Sequence, residues 1–271
     1  MRMPLTAAIG LVVTVTILAA AILAPWVAPY GQGQIVGVVW GERSPEFLLG
    51  TDNLGRDILS RLIWGAQTTL LIAGLATALA FTLGSILGFF AAVWGGWVDM
   101  GLSRMIDLLM SIPTLIFALV ILSVVPSTIP LLIVVMGVLD STRVFRLSRA
   151  VAADIAVMDY VEAARLRGEG RAWIVFREIL PNALAPLVAE LGLRFIFAVL
   201  FLSSLSFLGL GVQPPDADWG SMVRENREGI VFGVPAALLP AGAIAALAIS
   251  VNLVADWALK RTASLRGARG V

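Results

Sequence analysis

The 271-residue chain contains no cysteine and no histidine. Without thiols it has no disulfide framework and no thiolate nucleophile, and without imidazole it has no His-ligated metal site and no histidine proton relay. Lysine is almost as scarce. Lys260 is the only one, and no glycine-rich loop precedes it, so a P-loop that wraps ATP phosphates is excluded. Charged residues make up 14% of the chain and sum to +1, which gives nucleic-acid binding no electrostatic support. Intramembrane hydrolysis also lacks candidates, because no paired carboxylates stand within an apolar run.

What remains is apolar. The chain is 59% hydrophobic with a mean hydropathy of +0.94, far from the balance of a soluble domain. A bilayer core of roughly 30 Å takes about 20 apolar residues per helix. Stretches of that kind predict an all-α polytopic membrane protein with about six spans, near residues 6–27, 68–93, 107–125, 129–145, 184–208 and 236–257. The organisation expected is a first helix with a polar outer segment over 1–66, a five-helix core over 67–260 containing a loop at 146–180, and a tail over 261–271. The apolar run after Met1-Arg2-Met3-Pro4 is long for a signal peptide, and Pro25 and Pro29 occupy the place of a cleavage site, so it reads as an uncleaved span.

Arginine placement sets the expected orientation, since positive loops stay in the cytoplasm. With both termini inside, Arg143, Arg146, Arg149, Arg165, Arg167, Arg171 and Arg177 fall on the cytoplasmic side, with Arg104 and the tail cations. Arg43, Arg56, Arg61, Arg224 and Arg227 fall outside.

The segment from Asp159 to Gly168 is a run of good helix formers closed by glycine. A second helical piece follows from Arg171, and Pro181 suits the first turn of the next span, where its missing N–H costs little. Ala163 and Ala164 offer a small-residue surface that another protein can approach, with Tyr160, Glu162 and Arg165 around it. Periodicity alone describes a solvated basic loop equally well.

The combination Glu162-Ala163-Ala164, Gly168 and Ile179-Leu180-Pro181 resembles the EAA loop of bacterial ABC importer permeases. Two other stretches, Gly50 to Asp57 and Leu205 to Gly220, are similar to the second permease of dipeptide, oligopeptide and nickel importers. The chain departs from the usual pattern at Glu169, after the loop glycine, and at Arg194, inside a span. The resemblance implies a type I importer permease in which Tyr160, Glu162, Ala163, Ala164, Arg165, Gly168 and Pro181 couple to a separate ATPase. It implies as partners a second permease subunit, two ATPase domains that hold the ATP and magnesium, an extracytoplasmic binding protein, a peptide substrate and the lipid bilayer. This chain itself is expected to carry no cofactor and no metal and to be a transport subunit rather than an enzyme.

Two further groups invite a functional reading. Glu190 and Arg194 lie one turn apart inside the fifth span, where charges are costly; they are candidates for the translocation path, or else a self-neutralising pair. Asp216, Asp218, Trp219, Arg224 and Glu225 lie in or beside a turn-rich outer loop and are candidate contacts for a binding protein, or else solvated loop residues. Asp107 and Asp140, near span ends, read as interfacial. Nickel or another small solute is the alternative cargo, although the absence of His and Cys leans toward peptides. An ion-driven secondary transporter is a more distant alternative, because no inverted repeat is visible.

Overall fold

The computed structural model describes residues 3–267, with side chains as far as residue 258. Helix α1 (Leu5–Ile22) is followed by a single turn, α2 (Ala24–Val27), that starts with Pro25 near its N-terminus. A polar segment over 28–57 leads to α3 (Ile58–Trp94), where the Asp57 side chain accepts from the Ser60 N–H and caps the helix. At 37 residues α3 is about 55 Å long, well beyond a bilayer core, and begins ten residues earlier than expected. The boundary expected after residue 66 therefore falls inside it.

The expected third span is broken. Helix α4 (Gly96–Ser111) and α5 (Thr114–Val124) meet at 81°, because Pro113 forces Ile112 into an extended conformation. Next comes α6 (Ile129–Ala156), capped by the Thr128 side chain, which runs eleven residues past the expected span end. The stretch 146–156 is thus a continuation of α6 and not loop. The loop proper holds α7 (Asp159–Leu166), α8 (Arg171–Ile174) and a π-helical turn, Val175–Ile179, that passes directly into α9 (Leu180–Phe207). The chain closes with α10 (Trp219–Asn226), two 3-10 turns (Arg227–Phe232 and Pro235–Ala237) and α11 (Leu238–Gly267). Residues 261–267 of the expected tail prolong α11; 268–271 and the first two residues lie outside the described residues.

By length and apolarity, four described helical stretches suffice to cross a membrane, and the bent α4–α5 pair makes a fifth. Helix α6 is the sixth element; it carries Asp140, Arg143 and Arg146 within its apolar stretch. Among the described residues there is no β-strand, only isolated bridges between Ile35 and Arg56 and between Thr51 and Asp57.

Helices α3 and α6 form the spine. They run parallel and touch through glycine: a Cβ at Gly84 would lie 2.6 Å from Val144 Cβ, and one at Gly88 2.8 Å from the Phe145 carbonyl oxygen. The Gly84-Ser85-Ile86-Leu87-Gly88 spacing thus lets the backbones approach as small-residue pairs do in membranes. Around this spine a main core joins Ile72, Ala76, Leu132, Met136, Leu202 and Leu205. A second core at the other end gathers Phe89, Ile155, Val161, Ile174 and Ile179.

Candidate functional site

Three groups of candidate side chains are distributed along the helix axes. At one end stands the loop between α6 and α9. Val161 and Ala164 of α7 are fully buried and Ile174 nearly so, so one face of the short helix is pinned onto the second core. The opposite face is free: Tyr160, Glu162, Ala163 and Arg165 are exposed, and Leu166 projects at 84% exposure. Ala164 turns inward rather than sharing the outer surface with Ala163 as expected. Gly168 ends the helix at φ +84°, a conformation that L side chains resist, and open space surrounds it. Pro181 is exposed in the first turn of α9, where the sequence placed it. Every backbone turn here is closed, with Gly168 N–H donating to the Arg165 carbonyl at 2.9 Å and Glu169 N–H to that of Ala164 at 3.2 Å. The result is a small helix packed by one face and presenting a mixed polar and apolar face outward.

Beside this end, Arg149 of α6 reaches the first turn of α4. It makes two hydrogen bonds to Asp99, one of them at 2.5 Å. Arg146 similarly donates to Asp107 at 2.7 Å.

Midway along the helices, Arg194 donates to Glu190 Oε1 from Nε at 2.9 Å and Nη2 at 2.6 Å. The pair is supplemented across the helix contact by Asp140 of α6, whose Oδ1 lies 3.7 Å from Arg194 and 3.6 Å from Arg143. Asp140 therefore joins a charge cluster with Arg143, Glu190 and Arg194 rather than standing alone. The cluster borders a cavity of about 420 Å³ between α3, α5, α6 and α9, with Asp140, Arg143, Phe197 and Phe201 in its wall.

At the far end, the outer-loop residues turn inward. Asp218 and Trp219, candidate binding-protein contacts or else solvated loop residues, are buried at 0% and 2% exposure. Asp218 caps α10, accepting from the Gly220 and Ser221 N–H groups at 2.9 and 3.3 Å; burial pushes its carboxyl up while these bonds and Ser206 pull it down. Trp219 locks α10 to α3 by donating from Nε1 to the Leu62 carbonyl at 3.0 Å. Glu225 joins Arg56, Arg61 and Asp52 in a buried four-charge network with contacts of 2.5–2.8 Å. Asp216 accepts from Gln32 at 2.7 Å, and Arg224 lies against Gly209 with its Nε enclosed and unpartnered. These contacts clamp residues 28–57 to 209–235. The glycines of the motif stretch have a packing reason: a Cβ on Gly211 would fall 1.9 Å from Ser206 Oγ, and one on Gly220 2.6 Å from the Ser203 carbonyl oxygen.

The docking-like loop and the polar clamp are thus opposite ends of one bundle. Ser127, before α6, donates to the Leu210 carbonyl at the clamp, and α6 carries the chain about 42 Å from there to α7. The fold is an all-α bundle of long apolar helices, with a short helix that exposes one face at one end and a polar cap at the other. Residues 84–264 match the family described as binding-protein-dependent transport system inner membrane component. The chain belongs to that family, the membrane permeases of ABC importers, and is a multi-pass inner-membrane protein. It is 38% identical over 250 residues to a Brucella suis protein with a provisional name as a peptide transport system permease, covering 92% of this chain and 84% of that one. It is 34% identical to the di/tripeptide transport system permease protein DppC of Pseudomonas aeruginosa, covering 91% and 84%, and 32% identical to the dipeptide permease DppC of Haemophilus influenzae, covering 92% and 87%.

Proposed function

We propose that this chain forms half of the translocation pathway of an ATP-driven importer of di- and oligopeptides and couples to separate ATPase subunits through α7. The observation that carries the reading is the protruding helix itself. Tyr160, Glu162, Ala163 and Arg165 face outward while Val161 and Ala164 anchor it, so force applied to its free face is transmitted through the second core to both α6 and α9. The peptide cargo is supported by the names of the relatives, which are peptide, dipeptide and, for one 32% identical protein of Pectobacterium atrosepticum, glutathione permeases. No feature favours nickel.

The functional unit in this reading contains a second permease, two ATPase domains with their ATP and magnesium, and an extracytoplasmic binding protein. The loop at 157–180 and both termini face the cytoplasm, and the clamp of 28–57 with 209–235 faces outward. ATP binding closes the ATPase pair, and the closure acts on transport only because the two permease conformations hold α7 differently. Glu190 and Arg194 lie along the moving helix α9 and contribute to the path.

Co-purification in mild detergent with the natural partners tests this. Wild-type complexes hydrolyse ATP faster with peptide-loaded binding protein, and Glu162→Arg and Gly168→Trp abolish that stimulation. A chain that recovers no ATPase and moves solute on an ion gradient alone overturns the proposal.

A further inference from the structure

We propose that the cavity beside Asp140 is a subsite for a primary ammonium group, such as the amino terminus of a peptide; the peptide part of this rests on the function proposed above. The argument begins with an unsatisfied acceptor. Among the described residues Asp140 makes no hydrogen bond: Oδ2 is sealed from solvent with no partner, and Oδ1, the oxygen a ligand in the cavity can reach, has guanidinium nitrogens only at 3.6 and 3.7 Å. A carboxylate at membrane depth needs donors, and nearly all such groups have them. Its neighbours do not supply them. Arg194 is committed to Glu190 at 2.6 and 2.9 Å, and Arg143, which lines the same cavity, is 42% exposed and stands 3.6 Å off.

The space next to Asp140 suits the missing donor. The cavity of about 420 Å³ falls in the usual size range for small-molecule sites. Its wall offers Thr77 and Thr114 as hydroxyls, of which Thr77 already donates to the Ala73 carbonyl at 2.7 Å, and Met136, Phe197 and Phe201 as apolar and aromatic surface. An ammonium is compact and carries three donors, so it can approach a carboxylate where the planar forks of two arginines stand off. Aromatic rings beside it add a favourable field. Charge is conserved as well. Asp140 and Glu190 balance Arg143 and Arg194, and Arg143, the most exposed of the four, is the cation that the ammonium replaces.

The cysteine-free chain provides the test. In the assembled importer, Ala198→Cys places one thiol in the cavity wall, one turn from Arg194. Its labelling is followed with 2-aminoethyl and 2-hydroxyethyl methanethiosulfonate, normalised to a free thiol. The aminoethyl reagent is expected to react about tenfold faster, the discrimination of one charge-assisted hydrogen bond. Asp140→Asn removes the preference, Asp140→Glu keeps it, and Arg143→Gln raises it. Dialanine slows the aminoethyl reaction and N-acetyl-dialanine does not. A preference unchanged by Asp140→Asn, equal protection by both peptides, or no labelling at all overturns the inference. ATP-driven dialanine uptake is measured in the same preparation. Uptake without Asp140-dependent labelling leaves the transport function standing and removes the subsite; Asp140-dependent labelling without uptake supports the ammonium site and removes the peptide cargo.

Discussion

Replacing Asp52 with Asn should loosen the whole polar cap. Asp52 is fully buried and accepts from Arg56 Nε at 2.7 Å, from Arg61 Nη1 at 2.5 Å, and from the Leu54 and Arg56 N–H groups at 2.9 Å. Together with Glu225 it neutralises two arginines whose side chains are 5% and 1% exposed. The amide keeps the shape but leaves one uncompensated buried cation, a loss of about 3–5 kcal/mol for breaking such a pair. At 1.4 kcal/mol per tenfold, the opening equilibrium of the cap should rise by at least about 100-fold. Hydrogen exchange reads this directly in the amides that fold the segment onto itself: Gly37, which donates to the Gly55 carbonyl, and Trp40, which donates to that of Asp52, each at 2.9 Å. Amides of the α3–α6 spine should not change. Adding Arg61→Met restores neutrality and should recover most of the protection. An increase below about threefold in Gly37 and Trp40, or no recovery in the double variant, would refute the argument that charge balance holds the cap.

Gly84→Leu should separate α3 from α6, because even its Cβ would lie 2.6 Å from Val144 Cβ; the cost is about 1–3 kcal/mol or more, read as a lower unfolding temperature in detergent. The Asp99–Arg149 contact makes a stability prediction. Arg149→Met leaves Asp99 without both guanidinium hydrogen bonds and should lower the unfolding temperature in detergent, measured by thermal melts; an unchanged melt would show that the pair does not hold α4 to α6. Replacing Glu190 and Arg194 together with Gln and Met should reduce coupled uptake; unchanged uptake and ATPase would confine the pair to packing.

Much of the fold is legible because the bilayer imposes long apolar helices, and the loop helix is legible because Gly168 and Pro181 bracket its surroundings. The break at Ile112-Pro113 was written in the sequence, yet the apolar run across it suggested one span. The early start of α3 and the extension of α6 past Phe145 were hidden by polarity: the added turns carry Ser60 and Arg61, buried against the cap, and Arg146 and Arg149, paired with Asp107 and Asp99. Gly84 and Gly88 carried a readable spacing. Asp218 and Ser221 carried a capping signal that gives the buried role of Asp218, whereas composition alone made the loop look solvated. The four-charge network was not legible. Glu225 is 164 residues from Arg61, and only the docking of 209–235 onto 28–57 brings them together. The same holds for Asp140, whose membership of the Glu190–Arg194 cluster depends on how α6 crosses α9.

Coupling through α7 is the central claim, and a single-cysteine scan of this cysteine-free chain tests it most directly. With the ATPase subunits present, a short thiol-reactive crosslinker on Glu162→Cys or Ala163→Cys should join the permease to the ATPase, with yields that change on ATP binding. Cysteines at buried Val161 and Ala164, and at Asp216 on the opposite end, should not. Crosslinks from Asp216 but not from Ala163, or none from α7 in a complex that still hydrolyses ATP, would contradict the account.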